Sequence, residues 1–191
     1  MRTSSLAMIA LILPVTLAAQ QQPTANPITT ALRNRTLFMQ RNIAQAFDSI
    51  PESKFGYKPT PAQLSIGYIA QHIASDNYFF CNNLGAMKAT QSAKDTTTSD
   101  DIKATWPKDT LVAKLKASFT FCENALGQLD DTKLAEPVTL TFNGQSRPST
   151  HFVMAFGHAL DLADHYSQLS NYMRLNGMLP PTALPRPSRG N

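Results

Sequence analysis

The sequence lacks the features that define several large classes of protein. Its 191 residues include only two cysteines and one tryptophan, and they contain no internal repeat. The 17 Lys and Arg residues exceed the 13 Asp and Glu residues by four but form no basic run, which argues against nucleic acid as a partner. The longest apolar run, Leu6 to Leu17, is about a dozen residues long, whereas a membrane-spanning helix needs ~20.

That apolar run instead predicts a secretory signal. Arg2 supplies a positive charge before the run, and Ala18-Ala19 supplies small residues at the expected cleavage point. No cysteine stands there, so a lipid anchor is not expected. An uncleaved N-terminal anchor is the alternative, and the shortness of the run argues against it. We therefore expect a signal peptide at 1–19, a flexible leader at 20–25 and a periplasmic or secreted product with no membrane span.

The rest of the chain predicts a single all-α domain over residues 26–181, followed by a disordered tail at 182–191. With 42% hydrophobic residues, the chain is long enough to bury one core. Apolar residues at helical spacing, together with capping signals, predict four long helices. Their expected limits are Asn26-Pro27 to Pro51, a capping box at Thr60–Gln63 to about Asn83, Lys108 to Leu129, and Ser149 to Gly177.

The connections between these helices carry information about topology. Residues 84–107 form a long polar connection, which indicates either disorder or a crossover along the bundle. A crossover lets the second and third helices run parallel, because short loops join antiparallel neighbours. Before the fourth helix, Val138–Phe142 alternates strictly, Asn143-Gly144 predicts a tight turn, and Gln145–Arg147 forms a brief return arm.

The fourth predicted helix carries an unusual set of polar side chains. Asp161 and His165 are four residues apart and therefore share one face, which would let both side chains bind one metal ion. His151, His158 and His165 recur every seven residues, a rise of ~10.5 Å that is too long for neighbours in the series to share an ion. Gln168 lies one turn beyond His165.

Two stretches of the chain resemble the DinB-like superfamily of four-helix metalloproteins. Asp161–Gln168 occupies the signature H-x-x-x-H-[RYL]-G-Q of its last helix, and Tyr172–Pro181 matches the apolar, Arg, Gly and proline tail that follows. Upstream, Tyr57–Pro61 and Ile69–Ala74 resemble the segment that leads to the first ligand histidine. The sequence departs from the signature at two positions, with Asp161 in place of His and Ser167 in place of Gly.

This resemblance implies an up-down-down-up bundle with a metal site formed by His72, Asp161 and His165. Two imidazoles and one carboxylate suit a divalent ion such as zinc, nickel or iron(II), with water completing the shell. Asp161 in the usual histidine position leaves the identity and the presence of the metal open. The candidates for outer-shell or acid–base roles are His158, Gln168, Tyr68 and Asp76. For His158 the alternative is a helix-face histidine that contacts a neighbouring helix.

The two cysteines have two interpretations. Export would permit a disulfide, and parallel second and third helices would bring Cys81 and Cys122 to similar heights in the bundle, within bridging distance. Alternatively, both thiols are buried and behave as small hydrophobic groups.

The functional hypotheses follow from the implied metal site. One is an enzyme that acts on a small molecule, either a metal-dependent hydrolase or a thiol transferase, and an exported location favours hydrolysis. The second is a non-catalytic bundle that binds a metal, a small ligand or a protein. The third is a structural role in which His72 and His165 are hydrogen-bonded across a dry core. The sequence leaves a homodimer open.

Overall fold

The computed structural model of the protein describes residues 25–142 and 144–185. The predicted signal peptide, the leader up to residue 24 and tail residues 186–191 lie outside this part. Within it, none of the helices combines the length and the apolar character needed to cross a membrane. The described elements follow in the order α1 (Pro27–Ser49), α2 (Ile66–Cys81), α3 (Ala93–Thr97), α4 (Asp100–Lys103), α5 (Lys108–Gly127), β1 (Pro137–Phe142), β2 (Gln145–Thr150) and α6 (His151–Leu175).

Side-chain contacts give the direction of two neighbouring helices. The Asn77 side-chain nitrogen in α2 lies 2.8 Å from Ser118 Oγ in α5, and Cys81 and Cys122, four residues further along each helix, form a disulfide with a Cα–Cα distance of 5.2 Å. Because the second contact lies four residues after the first on both helices, α2 and α5 run parallel. The long connection between them is therefore a crossover, which was one of the two alternatives that its length indicated.

The remaining directions complete the bundle. Near the start of α1, Arg33 donates to the carbonyl of Leu126 near the end of α5, so those two helices are antiparallel. Helix α6 is antiparallel to α2, because His158 contacts Asn77 whereas the later His165 contacts the earlier His72. The predicted up-down-down-up four-helix bundle is confirmed.

Helix α2 begins later than predicted. The proposed capping box at Thr60 forms only a turn, in which the Gln63 amide donates to the Thr60 carbonyl. The N-cap is instead Ser65, whose hydroxyl accepts from the Tyr68 amide at 3.1 Å. The helix ends at Cys81 rather than near Asn83. Both stretches carry N-cap chemistry, and packing of the fully buried Ile66 selects the second one.

The crossover is held closely against the bundle. It contains the short helices α3 and α4 and ends at Trp106, a partly buried ring that packs against the core. The ammonium groups of Lys94 and Lys114 each lie 5.2 Å from the centre of this ring, within cation–π range. At the start of α2, Gly67 approaches the carbonyl of Ala104 so closely that a Cβ at position 67 would collide with it.

The hairpin and α6 differ slightly from prediction. Strand β1 pairs with β2 from Pro137↔Thr150 to Phe142↔Gln145, so the return arm extends three residues beyond Arg147. The N-cap of α6 is Thr150 rather than Ser149, and its hydroxyl accepts from the amide of Val153. At the turn, Gly144 has φ 74°, a value that glycine adopts without strain.

The core consists of two clusters of buried apolar side chains. The larger one fills the middle of the bundle and includes Ile43, Phe47, Ile69, Ile73, Leu115, Leu162 and Leu169. The smaller one surrounds the disulfide and includes Leu84, Leu126, Met154 and Ala155. The predicted face of α1 is buried from Leu32 to Phe47, but Ile28 is half exposed.

The start of the predicted disordered tail is ordered. Residues Pro181–Ala183 form a short 3-10 turn. The Thr182 amide donates to the Tyr166 hydroxyl at 3.0 Å, and that hydroxyl donates to Thr182 Oγ1 at 3.0 Å. A side chain of α6 thus fixes residues that composition alone assigns to a flexible tail.

Candidate metal centre

Four ionisable side chains meet between α2 and α6, near the middle of the bundle. His72 and Asp76 are one turn apart on α2, and Asp161 and His165 are one turn apart on α6. Because side chains at i and i+4 share a helix face, each helix presents one imidazole and one carboxylate to the other. The rings of His72 and His165 meet edge to face, with centroids 4.9 Å apart.

The donor atoms of this cluster have spacings suited to a single metal ion. His72 Nε2 lies 3.1 Å from Asp76 Oδ2, and that oxygen lies 4.0 Å from His165 Nε2. The same His165 nitrogen lies 3.4 Å from Asp161 Oδ1. Ligand atoms about 2.1 Å from a tetrahedral ion are about 3.4 Å from one another. His72, Asp76 and His165 can each offer one donor atom within 4.8 Å of the other two.

The cluster lies at the edge of the core and is partly dry. The side chain of His165 is 9% exposed, whereas that of His72 is 32% exposed. Two buried polar atoms, Asp161 Oδ2 and His165 Nδ1, have no hydrogen-bond partner among the described residues. Because buried polar groups are rarely left unsatisfied, each of these atoms can take a further partner, but an ion bound at His165 Nε2 would not reach Nδ1 on the other side of the ring. The donor set fits a divalent cation.

Burial and charge shift the pKa values of the cluster. Burial raises the pKa of Asp76 to about 6, and the negative charge of Asp161 adds to this, while His72 and His165 oppose it. For His165, burial alone would lower the pKa. The hydrogen bond and charge of Asp161 outweigh burial, with contributions from Gln168 and Asp76, so the pKa of His165 is raised. The two carboxylates therefore repel each other and attract positive charge.

The sequence-predicted candidates are placed as follows. His72 and His165 converge, and Asp161 contacts His165. Asp76, predicted only as an outer-shell or acid–base candidate, forms with His72 and His165 a group whose donor atoms all lie within 4.8 Å of one another, whereas the predicted ligand Asp161 is not part of that group. The signal for Asp76 was present in the sequence, because His72 and Asp76 have the same four-residue spacing as Asp161 and His165.

The other candidates surround the cluster or lie outside it. The Tyr68 ring centroid is 6.0 Å from that of His72, while the Gln168 amide donates to the Tyr172 hydroxyl at 3.2 Å. His158 is fully buried and its Nε2 contacts the Asn77 side-chain oxygen at 2.7 Å. It therefore contacts α2 through Asn77, which was the alternative interpretation of this residue.

A cleft of about 710 Å³ opens beside the start of α2. Tyr68, one turn before His72, lines this cleft together with residues of the crossover, including Asp101 and Trp106. Burial raises the pKa of the Tyr68 hydroxyl, and the nearby charges of Asp100, Asp101 and Asp76 raise it further. Tyr68 therefore keeps its proton at neutral pH and can donate a hydrogen bond into the cleft.

The fold is that of a known family. The family model described as the DinB superfamily matches residues 35–169, and the chain belongs to the DinB superfamily. No curated protein matches the chain.

Several solved structures share the fold. A DinB-like protein from Bacillus cereus is 17% identical and has a TM-score of 0.62, with 83% of this chain and 98% of that chain covered. A conserved protein from Enterococcus faecalis is 16% identical, with a TM-score of 0.58 and coverage of 78% and 96%. A mycothiol-dependent maleylpyruvate isomerase is 10% identical, with a TM-score of 0.57 and coverage of 76% and 65%. At these identities the likeness concerns the fold.

Proposed function

We propose that the protein is a metal-dependent hydrolase that binds a divalent ion between α2 and α6 and acts on a small molecule in the adjoining cleft. The observation that carries this proposal is the convergence of two imidazoles and two carboxylates at distances of 3.1–4.0 Å. Two carboxylates that are partly buried and close to each other are costly to assemble unless a cation compensates their charge.

His72 and His165 are the nitrogen ligands in this proposal. Asp161 supplies the carboxylate at the position where the family signature has histidine, and Asp76 is a fourth ligand or shares the carboxylate role. This donor set suits zinc, nickel or iron(II). When bound, such an ion supplies Lewis-acid chemistry, which lowers the pKa of a water or thiol in its shell.

The two carboxylates favour water over a thiol as the activated group. Two aspartates neutralise the charge of a divalent cation, whereas a site of three histidines leaves that charge in place. Oxygen ligands also make the ion a harder acid, and hard ions prefer oxygen to sulfur. This chain therefore differs from the family signature in the direction that favours oxygen over sulfur at the ion.

The surrounding residues have supporting roles. In the metal-free protein the ligand Asp161 contacts the His165 imidazole and favours its positive form, so a metal competes with a proton at His165. Tyr68 keeps its proton and donates a hydrogen bond to a ligand in the cleft, since its pKa is raised. The partly exposed edge of His72 is the direction from which a small substrate would reach the cluster.

A thiol-dependent reaction is the second candidate. It is supported by the structural neighbour described as a mycothiol-dependent maleylpyruvate isomerase, which shares this fold at 10% identity. In that case the same cluster would bind the sulfur of a small thiol, and the cleft would accept the rest of that molecule.

We also propose that the mature protein works outside the cytoplasm. The N-terminal sequence supports this, and so does the disulfide between Cys81 and Cys122, because structural disulfides persist in oxidising compartments. Hydrolysis of a small molecule needs no cytoplasmic thiol and suits that location.

The test is the metal content and activity of protein purified without a polyhistidine tag. We expect about one divalent ion per chain by elemental analysis, and loss of that ion in His165→Gln, which keeps most of the side-chain volume. His151→Gln is the matched control, since His151 contacts the Lys133 carbonyl instead of the cluster. The metal-loaded protein should hydrolyse members of a chromogenic ester, amide or lactone panel, and the His165 variant should not.

The outcomes separate the hypotheses. Equal metal content in the wild type and the His165 variant would refute the metal site. A bound ion without turnover of any panel member would favour the non-catalytic binding role. Turnover that requires an added small thiol would favour the second candidate.

A further inference from the structure

A second cluster of metal-ligating groups lies deep in the bundle, away from the candidate metal centre. It consists of Cys81 on α2, Cys122 on α5 and His158 on α6, all with 0% exposure. One donor atom from each lies within 4.8 Å of the other two. His158 precedes His165 by two helical turns, a rise of ~10.5 Å, so the two histidines serve different sites.

A chain of buried hydrogen bonds fixes the tautomer of His158. The Ser118 hydroxyl donates to the Leu115 carbonyl at 2.7 Å, so its oxygen must accept the 2.8 Å hydrogen bond from the Asn77 amide nitrogen. The Asn77 side-chain oxygen then faces His158 and accepts from its Nε2 at 2.7 Å.

The proton of His158 is therefore on Nε2, which leaves a lone pair on Nδ1. That atom lies 3.9 Å from Cys81 Sγ, at the disulfide. A ligating histidine usually donates its second ring N–H to a carbonyl or carboxylate oxygen, which fixes the ring for metal binding. Here the Asn77 side-chain oxygen accepts that hydrogen bond. Burial lowers the pKa of His158 to about 4, so the ring is neutral at physiological pH.

One distance in this cluster is close to that of a Cys₂His zinc site, whereas the two sulfurs, which are bonded to each other here, would have to separate to about 3.8 Å around a tetrahedral zinc. With Zn–S bonds of about 2.3 Å and Zn–N bonds of about 2.1 Å, tetrahedral geometry places sulfur and nitrogen about 3.6 Å apart, close to the 3.9 Å between His158 Nδ1 and Cys81 Sγ. The Asn77 main-chain oxygen, 3.2 Å from Cys122 Sγ, lies in the same cluster. Apolar residues including Leu84, Leu126 and Met154 surround it.

We propose that reduction of the Cys81–Cys122 disulfide converts this cluster into a Cys₂His site for zinc, with His158 Nδ1 as the nitrogen ligand. A dithiol reductant supplies two electrons and two protons, the S–S bond breaks, and the reductant leaves as a cyclic disulfide. Zinc then displaces the two thiol protons and binds both sulfurs. Thiolate and imidazole ligands both suit zinc.

This site would let the protein keep its packing in two redox states. In the oxidised chain, a covalent bond joins α2 to α5. In the reduced chain, the metal would join the same two helices and would also link them to α6 through His158. Zinc binding would therefore stabilise the reduced chain, because ligands that bind the native state stabilise it by mass action.

The test uses cobalt(II) as a spectroscopic probe of the full-length protein. One sample is left oxidised, and the other is reduced with dithiothreitol, whose excess is then removed under nitrogen. The reduced protein should show intense thiolate-to-cobalt charge-transfer absorption, which the oxidised protein should lack because His72, Asp76, Asp161 and His165 contain no sulfur. Reduced protein should also bind one more equivalent of zinc than oxidised protein does. Its melting temperature should be higher with zinc than without zinc.

Two variants make the assignment specific. His158→Gln should weaken cobalt binding to the reduced protein at least about 10-fold, the lower end of the loss seen when groups around a ligand are removed, while His151→Gln should not. If the reduced chain unfolds without metal, zinc should restore its helical circular dichroism. Absence of the charge-transfer band in reduced protein, or an unchanged band in His158→Gln, would overturn the proposal.

Discussion

The replacement Asp76→Asn should have opposite effects on metal-free and metal-loaded protein. In the metal-free protein, burial and the neighbouring Asp161 charge raise the pKa of Asp76 from 3.8 to about 6. The native state therefore binds a proton that the unfolded state releases between these pH values. Because the native state binds more protons, the free energy of unfolding falls as pH rises through this window. Above it, the folded chain carries the full cost of a buried carboxylate.

The size of this effect follows from the shift. A rise of about 2 pKa units corresponds to about 3 kcal/mol. The side chain is 25% exposed, so screening by solvent reduces this to about 1–2 kcal/mol. At pH 7.5 we expect the metal-free Asn variant to be more stable than wild type by that amount, a rise in Tm of roughly 2–8 °C. Below about pH 4 the difference should vanish.

The assay is urea denaturation of chelator-treated protein from pH 4 to 7.5 with the disulfide intact. Asp164→Asn, at an exposed position on α6, is the control and should change stability by no more than about 0.5 kcal/mol. With saturating metal the order should reverse, since Asp76→Asn removes a ligand. A metal-free variant that is less stable than wild type at pH 7.5 would refute the idea that this carboxylate is costly without a cation.

Three further predictions concern other positions. Asp161→His should tighten zinc binding, because imidazole suits zinc, and unchanged affinity in a zinc titration would exclude Asp161 as a ligand. Below pH 6.5 the unfolded chain protonates His158 while the native ring, with a pKa near 4, stays neutral. Acidification to pH 4 should therefore lower the free energy of unfolding of wild type by about 3 kcal/mol more than that of His158→Gln. Denaturation experiments measure this difference, and equal losses would contradict a buried, neutral His158. Ser65→Ala should lower stability by about 1 kcal/mol, whereas Thr60→Ala should cost less than about 0.5 kcal/mol; equal losses in thermal melts would contradict the N-cap assignment.

Most of the fold could be predicted because apolar residues recur at helical spacing along each long helix. The buried face of α1 and the paired residues of α6 could be predicted from the sequence because each depends on helical geometry alone. The start of α2 could not, since Thr60 and Ser65 both carry N-cap chemistry and only the packing of Ile66 distinguishes them. Likewise the ordering of Thr182 depends on a hydroxyl sixteen residues away.

The candidate site shows the same division. The pairs Asp161–His165 on α6 and His72–Asp76 on α2 were both visible from their four-residue spacing, but the sequence does not show that the two pairs face each other at the same height of the bundle. The relay from Leu115 through Ser118 and Asn77 to His158 joins three helices. No local pattern in the sequence indicates such a relay, because its members are brought together only by the packing of α2 against both α5 and α6.

The close approach of Gly67 to the Ala104 carbonyl has a consequence for how this domain can vary. The crossover is anchored at that point, so its final segment forms a fixed wall of the cleft beside Tyr68. Any side chain at position 67 would push that wall outward and change the shape of the cleft.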